Sequence, residues 1–414
     1  MERIILHIDV NNAFLSWTAV DRLNHGEKID IRERYAVIGG DEDSRRGIVL
    51  AKSNLCKKRG VVTGESLYIA RKKCPYLDVY SANHKVYKEF SDMMYKYLLK
   101  YTNIIERYSI DECFLDYTYS IKLFGDPIKL AYRIKDDIKK ELGFTVNVGI
   151  GNNKLLAKMA SDFSKPDKVH TLFSDEIKNK MWPLPIDDLF MLGKSSASKL
   201  KEMGINTIGE LANSDINLLV KRFKKHGKLM WEFANGIDNS EVSYFERDAK
   251  SISASTVLPF NYSKRDDCIK VLKSLSLEVG RKLRDKSLYA RNVSIWIKYS
   301  NFIKVSKQMI LDNRIHTDED IYKYSIYLFD KLWDKDNYIR GLCVGVSNFS
   351  SNHDKQLSLF ELNNINKMVD KKKDESDDKN DKLQKTLDEI RSRFGNDKIG
   401  YADILKNNNK NPLV

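Results

Sequence analysis

The sequence predicts an α+β protein of several domains, and three observations lead to that prediction. The chain has 414 residues, enough for two to four domains with cores of their own. Strand-like and helix-like apolar patterns alternate over residues 4–160, which is typical of mixed α/β or α+β cores. Residues 174–236 then show helical patterns alone, and residues 251–347 return to a mixture of strands and helices.

Apolar residues at two different spacings divide the first 160 residues into elements. The pattern of residues 4–10 predicts an apolar strand with Asp9 at its end. Val86, Phe90 and Met94 recur at the spacing of a helix. The other predicted elements are a strand at 35–38, an apolar stretch at 48–50, a strand–turn–strand at 104–117, a strand at 145–150, and helices at 13–23, 53–59, 126–141 and from Lys154 onwards.

The second half of the chain begins with short helical pieces separated at Gly193, Gly204 and Gly236. A polar and charged stretch at 237–250 has the composition of a domain linker. Beyond it, the patterns predict a separate β-α-β-β-α-β unit. Its strands are expected at 252–258, 289–299, 302–311 and 339–347, and its helices at 265–286 and 318–333.

Charge and composition limit the classes of function. A net charge of +13 favours a polyanionic partner, although the abundance of Lys, Asn, Ile and Tyr also fits an AT-rich genome. No apolar run approaches the roughly 18–20 residues of a membrane helix, and the N-terminus lacks the features of a signal peptide. The five cysteines are scattered without a C-x-x-C pair, which indicates neither a disulfide framework nor a zinc site. We therefore expect a cytoplasmic protein without a membrane partner.

Three acidic residues are candidates for metal chemistry. Asp9 ends the first strand, and Asp111 and Glu112 lie between two apolar strand stretches, so neighbouring strands of one sheet can bring them together. Nucleotidyl transfer needs such a cluster for two Mg²⁺ ions about 3.5–4 Å apart. Adjacent residues on a regular strand point to opposite faces, which predicts a turn or bulge at Asp111-Glu112. An acidic pair at a strand end is also a common surface feature, and the pair alone leaves both interpretations open.

Several motifs in one order carry a family resemblance. They are DVNNAF at 9–14, SIDE at 109–112, GIGNNKLLAKMAS at 149–161 and Ser164-Lys165-Pro166. Together they resemble the Y-family DNA polymerases from about residue 4 to 360. The resemblance implies a right-hand polymerase that copies templates past damaged bases from dNTPs, with low fidelity and no proofreading. It also implies a palm (1–15 and 78–170), fingers (16–77), a thumb with a helix–hairpin–helix element (171–236), a linker (237–250), a little finger (251–348) and a flexible tail with a clamp-binding peptide (349–414).

The resemblance assigns the metal site and a steric gate. Asp9, Asp111 and Glu112 match the catalytic, metal-binding carboxylates, with the Val10 carbonyl as a further ligand to two Mg²⁺ ions. Phe14 matches the aromatic ring that occupies the space needed by a ribose 2′-hydroxyl. Without the resemblance, Phe14 has the character of an ordinary core residue.

The resemblance also implies a dNTP site, and here the sequence departs from the family pattern. Family members often carry Tyr-x-x-Arg where this chain has Asn54 and Lys57, and lysine lacks the bidentate fork of arginine. Ala13 replaces a frequent aromatic residue, which widens the site, and Ile48 and Leu50 are expected to cover the nascent base pair. The implied dNTP-binding residues are Asn12, Ala13, Phe14, Asn54, Lys57 and Lys165.

Contacts with primer-template DNA are implied in two regions. Residues 186–205 resemble the helix–hairpin–helix element of the thumb, with Leu192, Gly193 and Lys194 at the hairpin. Backbone N–H groups at such a helix start bind phosphates without reading the sequence. In the little finger, a basic face is expected from Lys250, Arg281, Lys282, Arg284, Arg291 and Lys298.

A peptide beyond the last domain resembles the segment by which bacterial polymerases bind the sliding clamp. It comprises Gln356, Leu357, Leu359 and Phe360, just before a stretch rich in Lys, Asp and Asn that predicts disorder. Apolar anchors on a flexible segment fill a hydrophobic pocket at modest ordering cost. Apart from this clamp, a monomer is expected.

Two other functions remain open at this point. The GGDED stretch at 39–43 nearly matches the GGDEF signature of diguanylate cyclases, which share a palm-like sheet and two-metal chemistry. That interpretation leaves Asp111, Glu112 and the clamp peptide without a role. The second alternative is a catalytically inactive homologue that binds DNA and the clamp, although all three carboxylates are present.

Overall fold

The computed structural model describes residues 2–40, 45, 47–245 and 248–350, together with residues 386, 387, 389, 390, 393 and 394 of the tail. Within this part of the chain, the strands are β1 (Ile5–Val10), β2 (Ala36–Gly39), β3 (Val49–Lys52), β4 (Asp78–Ser81), β5 (Ile105–Arg107), β6 (Glu112–Asp116), β7 (Val146–Gly151), β8 (Val169–Leu172), β9 (Ser251–Tyr262), β10 (Tyr289–Tyr299), β11 (Lys304–Ile315) and β12 (Ile339–Ser350).

The helices of the described residues are α1 (Ala13–Asn24), α2 (Asn54–Lys58), α3 (Leu67–Lys73), α4 (His84–Leu98), α5 (Ile121–Phe124), α6 (Pro127–Leu142), α7 (Lys154–Asp162), α8 (Lys194–Glu202), α9 (Ile208–Ala212), α10 (Ile216–Phe223), α11 (Lys225–Ala234), α12 (Arg265–Asp285) and α13 (Asp318–Leu332). Short 3₁₀ turns lie at Ile31–Glu33, Ser174–Glu176 and Ile186–Asp188. The chain divides into two compact units, one holding β1–β8 with α1–α11 and the other β9–β12 with α12 and α13.

A five-stranded sheet in the order β5-β6-β1-β7-β8 forms the centre of the first unit. β1 is its middle strand and pairs antiparallel with both β6 and β7. Alternate residues of β1, among them Leu6 and Ile8, are buried in the core that α4 and α6 share with the sheet. His7 and Asp9 point to the opposite face, because successive strand residues alternate.

Helix α7 packs very closely on β7, and two glycines allow it. A Cβ atom at Gly149 would lie 2.0 Å from the carbonyl oxygen of Ala157, and one at Gly151 would lie 2.7 Å from the Cβ atom of Leu156. Since real Cβ atoms do not approach other atoms so closely, any larger residue would push the helix away. The glycines therefore fix the height of α7 above the sheet.

A second, smaller sheet has the order β3-β2-β4 and separates two cores. Val37 and Val49 pack with α3 residues such as Leu67, whereas Ile38 and Ala51 pack with Leu15 of α1. The region 174–236 is helical and builds its own core, to which α7 contributes Leu155, Leu156 and Met159. The same short helix thus supports both the large sheet and the helical region.

The first half of the predicted linker lies against the first unit. Asp238 accepts a hydrogen bond from the Leu155 backbone N–H (3.1 Å), and the Ser243 N–H donates to Glu106 (2.8 Å). Val242 is buried. These contacts hold residues 238–243 beside the start of α7, although their polar and charged composition predicts a domain linker.

The second unit has a four-stranded antiparallel sheet in the order β11-β10-β12-β9. α12 and α13 cover one face, and their buried residues share a core with β10 and β12. The β-α-β-β-α-β order predicted from the sequence is confirmed. Among the described residues, no helix combines the length and apolar character that a membrane crossing requires.

Candidate active site

Asp9 and Glu112 lie opposite each other at one end of the large sheet. They are directly paired in the antiparallel register of β1 and β6. Side chains of directly paired residues share one face of a sheet, and here it is the face that α7 covers. Two of the three predicted carboxylates, distant in sequence, are therefore brought together as expected.

Asp111 lies one residue before β6, in a bend that we call the acid loop (residues 108–111). Its backbone carbonyl accepts a hydrogen bond from Val10 N–H (3.1 Å), and its carboxylate accepts one from the Ser109 hydroxyl (2.6 Å). The predicted turn is confirmed, since the bend interrupts the strand immediately before Glu112. It places Asp111 beside the end of β1 but directs its carboxylate to Ser109.

Two lysines neutralise the paired carboxylates. The ammonium of Lys158, on α7, lies 2.6 Å from Glu112 Oε1 and 3.2 Å from Asp9 Oδ2. Lys165 lies 2.9 Å from the same Asp9 oxygen, and both lysines also pair with Asp162. Asp9 and Lys158 are only 7% and 8% exposed. We call Asp9, Glu112, Lys158 and Lys165 the acid corner.

Burial and charge act against each other in the acid corner. Burial raises the pKa of Asp9, but the charges of Lys165 and Lys158 outweigh it and the pKa lies below its usual value. Burial also raises the pKa of Glu112, and the hydrogen bond from Lys158 only partly offsets it. Burial would lower the pKa of Lys158, yet the Asp9 charge and the Glu112 hydrogen bond raise it instead. Lys158 is therefore a permanent cation beside Asp9.

The donor atoms of this corner suit a hard divalent cation, but they are not gathered around one point. Among the described residues, no three carboxylate, imidazole or thiolate side chains stand together as a ready metal-binding group. The reason is visible in the contacts, because Asp111 is bonded to Ser109 while Asp9 and Glu112 are bonded to lysines. Carboxylate and carbonyl oxygens are the ligands that Mg²⁺ prefers, so the residues fit the ion by their chemistry.

Phe14 lies in the first turn of α1, five residues after Asp9. Its ring stacks on that of Tyr87, with the centroids 4.5 Å apart and the planes at 7°, and it meets the His84 ring edge-on at a centroid distance of 5.9 Å. The ring is half-buried and packs against both the large-sheet core and the core of α1 with the small sheet. Before it, Asn12 is exposed in the left-handed region (φ 48°), and Ala13 is buried. The ring is thus held in one orientation with part of its surface open.

Asn54 and Lys57 lie one turn apart on α2, and both are exposed. Lys52 of β3 lies near Lys57. Burial and then the charge of Lys57 lower the pKa of Lys52. Lys52 donates a hydrogen bond to Thr63 (3.0 Å). Within the described part of the chain, no hydrogen bond or ion pair joins a side chain of α2 to the acid corner.

Leu192, Gly193 and Lys194 lie where a turn enters α8. Gly193 is the residue that caps the helix, and its carbonyl accepts hydrogen bonds from Ser196 and Ala197. Gly193 and Lys194 are exposed, whereas Leu192 packs against the helical core. The predicted clamp residues, Gln356, Leu357, Leu359 and Phe360, lie outside the described residues.

A buried amide pair is a feature of the site that sequence reasoning missed. Asn11 and Asn147 are hydrogen-bonded to each other (3.1 Å), and Asn147 donates to the Ser164 carbonyl (2.6 Å). The Asp167 N–H donates to Asn11 (2.9 Å), so the pair holds the segment that carries Lys165. The available signal was an asparagine within the otherwise apolar strand β7, because a buried polar group requires partners.

Three family models match most of the chain. The impB/mucB/samB family matches residues 8–162, the C-terminal domain of that family 249–359, and the helix–hairpin–helix motif of the same family 174–205. These matches include the stretches 9–14, 109–112 and 149–161 from which the family resemblance was drawn, whereas Ser164-Lys165-Pro166 lies between two of them.

Curated relatives and solved structures agree with the family models. DNA polymerase IV of Clostridium acetobutylicum is 46% identical over 99% of this chain and 100% of its own length. DNA polymerase IV of Acetivibrio thermocellus is 36% identical, with both chains covered in full, and DNA polymerase IV 2 of Bacillus subtilis is 35% identical over 98% of this chain and 95% of its own.

One solved structure, a Y-family DNA polymerase chimera named Dbh-Dpo4(243-245)-Dbh, has a TM-score of 0.72 at 23% identity. The match covers 84% of this chain and all of the chimera, and it shows that the fold is the Y-family polymerase fold. The resemblance predicted from the motifs is confirmed. The chain belongs to the impB/mucB/samB family, the Y-family DNA polymerases.

Proposed function

We propose that this chain extends primers past damaged template bases through two Mg²⁺ ions held by Asp9, Asp111, Glu112 and the Val10 carbonyl. Membership of the Y family makes the chain a DNA-directed DNA polymerase, and use of divalent metal follows from the family. The observation that carries the assignment to this site is the pairing of Asp9 with Glu112 in a buried corner.

The acid corner supplies the charges that the reaction needs. Divalent ions bound there contribute Lewis-acid stabilisation of the transferring phosphoryl group and activation of the primer hydroxyl. Asp9 stays ionised at neutral pH because its lowered pKa keeps the carboxylate charged. Release of Asp9 and Glu112 from the lysines would free two carboxylates for metal binding.

The two lysines have different tasks in this proposal. The side chain of Lys165 is 36% exposed, whereas that of Lys158 is 10% exposed. Lys165 is therefore accessible to the triphosphate of a dNTP, and Asn11 and Asn147 hold its segment in place. Lys158 is the less accessible lysine and supplies the counter-charge of the carboxylates until a divalent ion binds.

Substrate selection is assigned to Phe14 and to the surface of α2. The ring of Phe14 is braced by Tyr87, so it blocks the space of a ribose 2′-hydroxyl without turning aside. Asn12 and Ala13 are assigned to the same side of the dNTP as Phe14. Asn54 and Lys57 contact the triphosphate from α2, where Lys52 adds a second positive charge. Lysine contributes charge here without fixing geometry.

Primer-template DNA is proposed to bind the exposed turn at Leu192, Gly193 and Lys194 through backbone N–H groups and the lysine charge. The domain boundaries predicted from the sequence are kept as part of this proposal, with the helical region as thumb and the second unit as little finger. We also place the protein in the cytoplasm as a monomer.

Primer extension tests the function. Wild-type protein with Mg²⁺, dNTPs and either an undamaged or a lesion-containing template is expected to extend the primer on both. Asp9→Asn is the matched control. Failure of the wild type at every dNTP concentration would favour an inactive DNA-binding homologue, and formation of a cyclic dinucleotide from GTP would favour the cyclase alternative.

The sliding clamp is the proposed protein partner, through Gln356, Leu357, Leu359 and Phe360. Replacement of Leu357 and Phe360 by alanine should remove the stimulation of primer extension by a bacterial clamp. Extension without the clamp should be unchanged. Equal stimulation of the variant and the wild type would exclude this peptide as the clamp-binding segment.

A further inference from the structure

Tyr108 connects the acid loop to the helical region. Its ring meets the ring of Phe114 in β6 edge-on, with the centroids 5.4 Å apart, and its centroid lies 6.1 Å from that of Phe190. Its hydroxyl lies 3.9 Å from the sulfur of Met191. Tyr108 is 42% exposed.

Phe190 and Met191 belong to the turn that precedes α8, which we call the hairpin turn (residues 189–193). The hairpin turn also contacts α7, because the Phe190 N–H lies 3.4 Å from the sulfur of Met159, the residue after Lys158. The turn therefore contacts the acid loop through Tyr108 and α7 through Met159.

Backbone hydrogen bonds join the acid loop to the two strands that carry Asp9 and Glu112. The backbone N–H groups of Tyr108 and Ser109 both donate to the Glu112 carbonyl, at 3.0 and 3.3 Å. At its other end, the loop is fastened to β1 by the hydrogen bond from Val10 N–H to the Asp111 carbonyl. The loop is therefore held to β6 at Glu112 and to β1 at Val10, the residue after Asp9.

We propose that Tyr108 is a positioning residue that couples the hairpin turn to Asp111 and Glu112. Duplex DNA seated on the exposed residues Gly193 and Lys194 fixes the turn, and Tyr108 passes that constraint to the acid loop. The proposal rests on the proposed function and deepens it. It assigns no contact between Tyr108 and the reacting atoms.

Single-turnover primer extension with saturating DNA tests the coupling. In Tyr108→Ala, the maximal rate of nucleotide addition should fall by about 10- to 100-fold, since small misplacements of reacting groups have effects of that size. The dNTP concentration at half-maximal rate should change less than about twofold, because the triphosphate contacts lie elsewhere. Tyr108→Phe keeps the ring and should restore most of the rate.

Tyr119→Ala is the matched control, because Tyr119 is another tyrosine of the same unit and is 75% exposed. It should behave as the wild type. The reaction amplitude reports the folded, DNA-bound fraction, so a purely structural role of Tyr108 would lower the amplitude and leave the rate constant unchanged. That outcome would overturn the proposal.

A double-mutant cycle adds an independent test that does not depend on Tyr108→Ala alone. Met191→Ala changes an exposed side chain and should lower the rate constant in the same direction as Tyr108→Ala. If the two residues act through one contact, the double variant should lose little more than the Tyr108 variant. Multiplicative losses would contradict the coupling. If the wild type extends primers but Tyr108→Ala equals Tyr119→Ala, this inference fails alone; if the wild type is inactive, the proposed function fails first.

Discussion

The acid corner and the surface of α2 are both proposed to serve one dNTP, yet they are built in opposite ways. In the corner, Asp9 and Lys158 are buried, Glu112 is half-buried, and each contacts at least one opposite charge. On α2, Asn54 and Lys57 are exposed, and among the described residues no hydrogen bond or ion pair holds their side chains. The difference separates a site that must fix atoms from a surface that needs only to supply charge.

The contrast has an energetic reason. A buried charge is tolerated when it is paired, and the removal of one partner is strongly destabilising. An exposed lysine pays no such penalty, and its contribution to binding one anionic group is small. Changes in the acid corner should therefore alter catalysis and folding, whereas changes on α2 should alter affinity alone.

Asp9→Asn gives the largest expected effect and tests the catalytic side of the comparison. The substitution keeps the size of the side chain but removes the charge that holds a divalent ion. We expect nucleotide addition to fall by about 10³-fold or more, because metal-ion stabilisation is worth several kcal/mol. Rapid-quench primer extension measures the rate, and DNA affinity should stay within about threefold. A loss below tenfold would remove Asp9 from the catalytic group.

Lys158→Met tests the folding side of the comparison. It leaves Asp9 and Glu112 buried together with less counter-charge, and the free energy of unfolding should fall by about 3 kcal/mol. Urea unfolding without metal measures the loss, and Mg²⁺ should recover part of it in the variant. Lys85→Met, at an exposed position of α4, is the control and should change stability little. Equal stability of both variants would show that the corner does not depend on Lys158.

Phe14→Ala sharpens the comparison at a residue that packs against the large-sheet core and the core of α1 with the small sheet. Steric overlap in a packed site costs about 1–3 kcal/mol, which corresponds to about a 5- to 150-fold discrimination. Loss of the ring should lower the preference for dNTP over rNTP by that factor, as measured by competing incorporation. Phe14→Tyr keeps a ring and should keep the preference. Unchanged discrimination in the alanine variant would exclude Phe14 as the gate.

Lys57→Ala gives the smallest expected effect. An exposed cation contributes up to about 1 kcal/mol, so the dNTP concentration at half-maximal rate should rise by about two- to fivefold. The maximal rate should not change, and Lys57→Arg should bind at least as well as the wild type. A large fall in the maximal rate would place Lys57 with the catalytic residues and would remove the distinction between the two regions.

Much of this fold was predictable because its central elements have clear patterns. β1, β7 and α7 carry regular apolar spacing, and so do the strands and helices of the second unit. The sequence patterns did not predict strands β4 and β8. Both are four residues long, lie at sheet edges and are half-exposed, so they have no continuous apolar pattern.

The candidate site was predictable in its members more than in its geometry. The motifs identified Asp9, Asp111 and Glu112, and the bend before Glu112 followed from strand alternation. The lysine pairs did not follow, because sequence carries no distance between α7 and the end of β1. The same holds for the attachment of residues 238–243, whose partners, such as Glu106 and Leu155, are far away in the chain.

Counting bound metal ions tests the central claim most directly. Electron paramagnetic resonance of Mn²⁺, with a dideoxy-terminated primer-template and the matching dNTP, reports the ions held by the complete complex. We predict two ions per wild-type protein and fewer in Asp9→Asn and Glu112→Gln, measured with the same DNA. Two ions retained in both variants, or none in the wild type, would contradict a metal site built on these carboxylates.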